Sequence, residues 1–200
     1  MGFDKSNFIH PLAHVGEAVE MGKNNYIGAF CTINNCTMGS NNSFESHCSI
    51  GAFPEHKAAK ENKGALIGNN NTFREFVTLH GGVEQATEIG NNNWFLAKSH
   101  IGHDATIYSN VVVSTAAIIG GHCKVYHYAN LGLGSIIHQY QKIPHGSMLG
   151  MGCIVTKTTA VLPFTIYVGN PAKALKPNLY YLKNKILTGE QINNYCKLWN

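Results

Sequence analysis

The chain has little charge, and it lacks the kinds of charge that recognise particular partners. Only 13% of its 200 residues are Asp, Glu, Lys or Arg, and Arg74 is the single arginine beside fourteen lysines. Guanidinium forks read phosphates and base edges bidentately, whereas ammonium groups act as point charges. A formal net charge of +4 carried on lysine therefore argues against a nucleic acid partner. Long apolar runs are missing as well. No stretch of eighteen occurs, and Met1-Gly2-Phe3-Asp4-Lys5 lacks the apolar segment of a signal peptide, so no membrane insertion or export is expected and a cytoplasmic location is. The six cysteines include no Cys-x-x-Cys pair, so they are read as reduced thiols rather than a disulfide framework. A Gly-x-Ser-x-Gly elbow is also absent, which removes one mark of a serine hydrolase.

What is present is a beat of six. Stepping from Ile89 gives Phe95, Ile101, Ile107, Val113, Ile119, Val125, Leu131, Ile137, Ile143, Leu149, Val155 and Val161, all apolar. In a chain that is 44% hydrophobic, thirteen in register arise by chance about once in several tens of thousands of trials, so the pattern is specific. Shorter runs precede it: Val15, Met21, Ile27, Ile33; then Met38, Phe44, Ile50; then Ile67, Phe73, Leu79. Glycine often follows the apolar residue, and Asn-rich segments come after it; both residue types tolerate positive φ. One inward apolar residue, a turn, and a repeat every six residues predict a prism of three faces with eighteen residues per coil. The fold class expected is mainly β, a parallel β-helix.

The fourth position after each apolar residue should also face inward and be small. Ala105, Val111, Ala117, Ala129 and Ser135 occupy it, as do Cys31, Cys48, Cys123 and Cys153, which are therefore read as packing residues. Residues 51–66 abandon the beat and predict a loop thrown out from the prism, with Pro54 to Lys63 overhanging a cleft. Residues 80–88 form a shorter excursion. The repeat ends after Pro163, Pro171 and Pro177 bracket an extended segment, and Leu179, Leu182, Ile186, Ile192 and Leu198 suggest two short helices. The expected division is a coil over 1–168 and a C-terminal segment over 169–200.

Eleven histidines are present, and register singles out some of them. Ile101, Ile119 and Ile137 should stack, placing His103, His122 and His138 along one edge in three successive coils about 4.8 Å apart, beside Asp104, one of two aspartates. A neutral imidazole can take a proton from a hydroxyl or amine as that group attacks a thioester, and a carboxylate can hold its tautomer. Backbone amides at the glycine turns can steady the oxyanion. A metal-dependent hydratase is the rival, with His122 and His127 as ligands, but two coils before His122 stands Ala86 rather than a third histidine. A non-catalytic trimeric scaffold is another.

The segments Phe73-Arg74-Glu75-Phe76-Val77-Thr78-Leu79-His80, Ser99-His100-Ile101-Gly102-His103-Asp104, Gly121-His122 and His138-Gln139-Tyr140 resemble the UDP-N-acetylglucosamine O-acyltransferase family. The resemblance runs from about Ile9 to the C-terminal helices. It implies a left-handed coil, against the usual right-handed crossover, and a homotrimer with clefts between subunits. It implies His103 as general base and Asp104 as its partner, with His100, His122, His138 and Gln139 lining the cleft. His56, Arg74 and Asn178 join these as candidate contacts to a sugar or nucleotide-sugar acceptor, and Gly121 and Lys173 as candidate contacts to the donor. The thioester donor is acyl carrier protein or acetyl-CoA, as co-substrate, with no tightly bound cofactor and no metal expected. Two features depart from the family. Tyr180 and Asn184 stand where it carries an acidic residue and an arginine, and Val168-Gly169-Asn170-Pro171-Ala172-Lys173 is similar to the tail of acetyl-CoA-dependent hexapeptide acetyltransferases. Lys173, Lys176, Lys183 and Lys185 would suit an acidic carrier protein or a CoA phosphate.

Overall fold

A computed structural model describes residues 2–185, with side chains to Leu182. Ile186, Ile192 and Leu198, the expected second helix, and the side chains of Lys183, Asn184 and Lys185 lie outside the described residues.

The beat becomes a left-handed coil of short parallel strands, most of them two residues long. Three faces form, of ten, eight and seven strands among the described residues. The first face runs through Thr72–Phe73, Trp94–Phe95 and Val112–Val113; the second through Thr78–His80, His100–Ile101, Ile118–Ile119 and Ile136–Ile137; the third through Thr87–Ile89, Thr106–Ile107 and Lys124–Val125. In-register pairs such as Ile101↔Ile119 and Ile119↔Ile137 fix the coil at eighteen residues. The inward residue of each strand is buried, from Ile27 to Val155, and so is the small residue four places on: Cys31, Cys48, Ala105, Ala117, Cys123 and Cys153 are at most 1% exposed. Phe44, Phe73 and Phe95 stack inside the first face with ring centroids 4.6 Å apart. Burying apolar surface at roughly 25 cal/mol per Å² holds the coil together, because a two-residue strand has almost no intrinsic stability.

Corners carry the second set of forces. Asp104, His122 and Tyr140 have φ of 58° to 65°, as do many corner asparagines. The buried asparagines at one corner form a ladder. The backbone N–H of Asn42 donates to Asn25 Oδ1, that of Asn71 to Asn42 Oδ1 and that of Asn93 to Asn71 Oδ1, at 2.9–3.0 Å. Each rung satisfies a buried amide that the tight turn leaves unpaired.

Three boundaries differ from expectation. The long loop is 53–64, because Ser49–Ala52 and Ala65–Ile67 are strands, and the shorter excursion is 81–86. Val161 is not in a strand; it only packs against the core. There the chain leaves the third face, and the Tyr167 hydroxyl bonds Leu162 N–H and Ala160 C=O. Thr165–Val168 then rejoins the first face, with Tyr167 opposite Leu149. The segment between the prolines is the antiparallel strand Lys173–Pro177, followed by a helix over Leu179–Lys185.

Candidate functional site

The corner between the second and third faces gathers the candidate chemistry. Asp104 and His122 are eighteen residues apart and occupy the same left-handed corner position in adjacent coils, so the His122 ring sits near the carboxylate, Nε2 to Oδ2 3.8 Å. One position earlier, His103 is followed in the next coil by Gly121. A Cβ on Gly121 would lie 2.8 Å from His103 Nε2, so this glycine makes the room the imidazole fills. No carbonyl among the described residues accepts the Gly121 N–H.

His103 and Asp104 form a buried pair: Nδ1 to Oδ2 is 2.7 Å, and the side chains are 8% and 0% exposed. Burial pushes the Asp104 carboxyl up. It is outweighed by hydrogen bonds from the amides of Gln85 and Val83, from the His103 ring and from the Glu84 amide, which hold it at about 2. An ionised carboxylate only accepts, so Nδ1 is the donor, and in the neutral ring the lone pair sits on Nε2. The His103 ring also meets those of His122 and His56, at centroid separations of 5.1 Å and 5.3 Å. His56 reaches it from the loop 53–64, which emerges at the same corner.

A second group lies beside the first. His100, on the second face, contacts Thr78 Oγ1 at 2.8 Å and packs edge-on against His80 at 5.3 Å. Glu55, next to His56 on the loop, faces both rings at 3.7 and 3.9 Å. Burial lowers the pKa of both imidazoles, and Glu55 only partly counters it. Neither His80 nor Glu55 stands among the residues proposed from sequence. His80 was within reach, since it ends a strand directly below the His100 coil. Glu55 was not, because the beat says nothing about where a loop folds.

His138 and Gln139 stand on the same corner one coil further on, and the other expected members sit elsewhere. His138 is exposed, with Nδ1 3.0 Å from the Gln139 carbonyl. The ring stacked on His122 is that of Tyr140, at 4.4 Å, because the corner position repeats at 122 and 140. Gln139 is exposed one step behind it. Arg74 pairs with Glu75 at the corner between the first and second faces. His127 stacks with His145 at the remaining corner, 5.5 Å apart, so it makes no pair with His122. Lys173 is exposed on the C-terminal hairpin. Asn178 is buried, donating to Gly146 C=O at 2.9 Å and accepting from Tyr181 N–H at the start of the helix. It borders a cleft of about 600 Å³ that Tyr128, Met148, Ile166 and Tyr180 also line.

No family model matches the chain. Curated relatives do. It is 34% identical over 167 residues to an acyl-[acyl-carrier-protein]–UDP-N-acetylglucosamine O-acyltransferase of Nautilia profundicola, covering 82% of this chain and 64% of that protein. It is 38% identical over 143 residues to the enzyme of that name from Xylella fastidiosa, covering 60% and 54%. The chain spans 37% to 64% of the length of these and the Burkholderia ambifaria relative it also matches. Among solved structures, the UDP-N-acetylglucosamine acyltransferase of Bacteroides fragilis superimposes with a TM-score of 0.81 at 26% identity, over 99% of this chain and 83% of that one. The UDP-N-acetylglucosamine O-acyltransferase of Moraxella catarrhalis gives 0.78 at 25%, over 98% and 82%. The chain is thus a hexapeptide-repeat left-handed β-helix protein that resembles the UDP-N-acetylglucosamine O-acyltransferases in both sequence and fold.

Proposed function

We propose that the chain moves an acyl group from an acyl carrier protein thioester to a hydroxyl of UDP-N-acetylglucosamine or a closely related nucleotide sugar, with His103 as general base. The observation that carries this is the buried His103–Asp104 pair, whose Nδ1···Oδ2 contact of 2.7 Å leaves Nε2 as the basic atom. Nε2 takes the hydroxyl proton as the oxygen attacks the thioester carbonyl. The Gly121 N–H holds the oxyanion. The carbon–sulfur bond then breaks, and the imidazolium returns its proton to the departing sulfur. The carrier protein is favoured over acetyl-CoA because the curated relatives carry it in their names. Glu55, His56, His80 and His100 line the acceptor side; residues 1–168 form the acyltransferase coil that carries the site, 169–200 a separate C-terminal segment, and the active form is a homotrimer.

Substitution of the base tests the reading. General-base catalysis typically contributes about 10² to 10⁴ in rate, so His103→Ala should lower turnover by that order with its thermal midpoint kept. His100→Ala should lose less. Mass spectrometry of the acylated sugar gives turnover, and a folded His103→Ala protein retaining more than about a tenth of it would refute the assignment.

The hydratase reading has one observation behind it. One donor atom each from His103, Asp104 and His122 lies within 4.8 Å of the others, a set that suits a divalent transition ion. Dialysis against a chelator separates the two readings: acyl transfer continues, whereas a hydratase stops. A scaffold would show no transfer with any carrier thioester or nucleotide sugar.

A further inference from the structure

The short excursion 81–86 has no part in the repeat, yet its backbone converges on one side chain. Val83 N–H donates to Asp104 Oδ2 at 2.9 Å, while Glu84 and Gln85 N–H donate to Oδ1 at 2.8 and 2.9 Å. The backbone N–H of Asp104 itself donates to Thr87 Oγ1 at 2.9 Å, and Thr87 is fully buried. Consecutive amides turned toward one anion form a cradle that fixes both its position and its rotation.

Rotation matters because Asp104 has two imidazoles to choose between. Oδ2 is 2.7 Å from His103 Nδ1 and 3.8 Å from His122 Nε2. A carboxylate free to turn would divide itself between them. We propose that the turn Gly82–Gln85 is the positioning device of the dyad, holding the Asp104 carboxylate against His103 and away from His122, so that His103 alone presents a bare Nε2. The proposal rests on the acyl-transfer reading and adds to it the reason why one histidine of the cluster is the base.

Gly82 is the residue on which the cradle closes. A Cβ there would fall 1.5 Å from the Gln85 carbonyl oxygen and 3.1 Å from Asp104 Oδ1, so any side chain forces the turn open. The turn is also tied to the end of the long loop, through Lys63 N–H to Gly82 C=O and Gly82 N–H to Gly64 C=O. Gly81 serves as a control. A Cβ on it would meet Asn62 Oδ1 at 2.0 Å, which strains the same excursion without touching the carboxylate.

The experiment is two-bond ¹H–¹⁵N correlation of the histidine rings alongside kinetics. In the native protein His103 should show a single tautomer, protonated on Nδ1. Gly82→Ala should show mixed tautomers and lose about tenfold or more in kcat with the acceptor KM unchanged, because sub-ångström misplacement of a base costs rate rather than binding. Gly81→Ala should keep the native tautomer. Should Gly82→Ala fail to fold, Thr87→Val, nearly equal in volume, should shift the tautomer in the same direction to a smaller degree. An unchanged His103 tautomer in a folded Gly82→Ala or Thr87→Val protein overturns the cradle. Mixed tautomers with full turnover would uphold the cradle and overturn His103 as the base, so the two failures are distinct.

Discussion

At the scale of single residues, Asp104 is the side chain with the most at stake. Its carboxyl is held at about 2 against an ordinary 3.8, so its ionised form stabilises the fold above the unfolded-state pKa, and that contribution is lost as pH falls through the folded one. A difference of this size corresponds to about 2 kcal/mol. Native protein should therefore lose stability between about pH 4 and pH 2, and Asp104→Asn, less stable at pH 7, should show a shallower slope across that window. Denaturant midpoints at a series of pH values measure it; parallel curves for the two proteins would contradict the assignment. The same residue shows what the sequence could reveal. Asp104 and His103 were legible as a pair because they are adjacent on a predicted corner. His138 was placed with them by face rather than by corner position, and the eighteen-residue step from His122 leads to Tyr140 instead. Asn178 looks like a contact residue in the sequence, but the fold spends its amide on Gly146 and the helix start.

At the scale of elements, the asparagine ladder does for the corners what the apolar stacks do for the faces. The Asn42 side chain accepts from Asn71 N–H and donates to Asn25 Oδ1 and Gly68 C=O. Asn42→Ala should thus leave Asn71 N–H without its acceptor, at a cost of about 1–3 kcal/mol. Asn24→Ala, on the exposed side of the same corner, should cost far less. Thermal or denaturant unfolding of the two variants compares them, and equal losses would mean the ladder is not cooperative. The six-residue beat announced these elements because each strand has one inward residue and no freedom to choose another. It failed at Val161 because the chain leaves the third face there, with Val161 still against the core but in no strand, before Thr165–Val168 rejoins the first face. Loop 53–64 was visible as an interruption, but its fold was not. Asn62 anchors it, donating to Gly51 C=O and accepting from Gly64 N–H, contacts with no sequence period.

At the scale of the whole molecule, the coil leaves apolar side chains on its outside. Ile118 and Ile136 are neighbours on the second face, about 40% exposed each, and Trp94 stands out from the first at 57%. Packing coils side by side would cover such faces and give the open corner with His103 a second wall. The homotrimer we propose should scatter light as about three times the 21.8 kDa chain, and a monomer under conditions of full activity would exclude it.

The stacking also gives the chain something like a reading frame. Phe44 pairs with Phe73, twenty-nine residues on rather than eighteen, and Phe73 with Phe95, twenty-two on. The excess, eleven residues and then four, is looped out at the corner that holds Asp104, and every face resumes in register. Met21 pairs with Met38 after only seventeen, a deletion taken up at Asn35, whose φ of 36° departs from its fellow corners. Length can change only where the coil turns, because a residue added within a rung would exchange inside for outside in every coil that follows. The corner that carries the extra residues is also the one where the candidate site collects. The loops stand beside the site without disturbing the spacing that builds it.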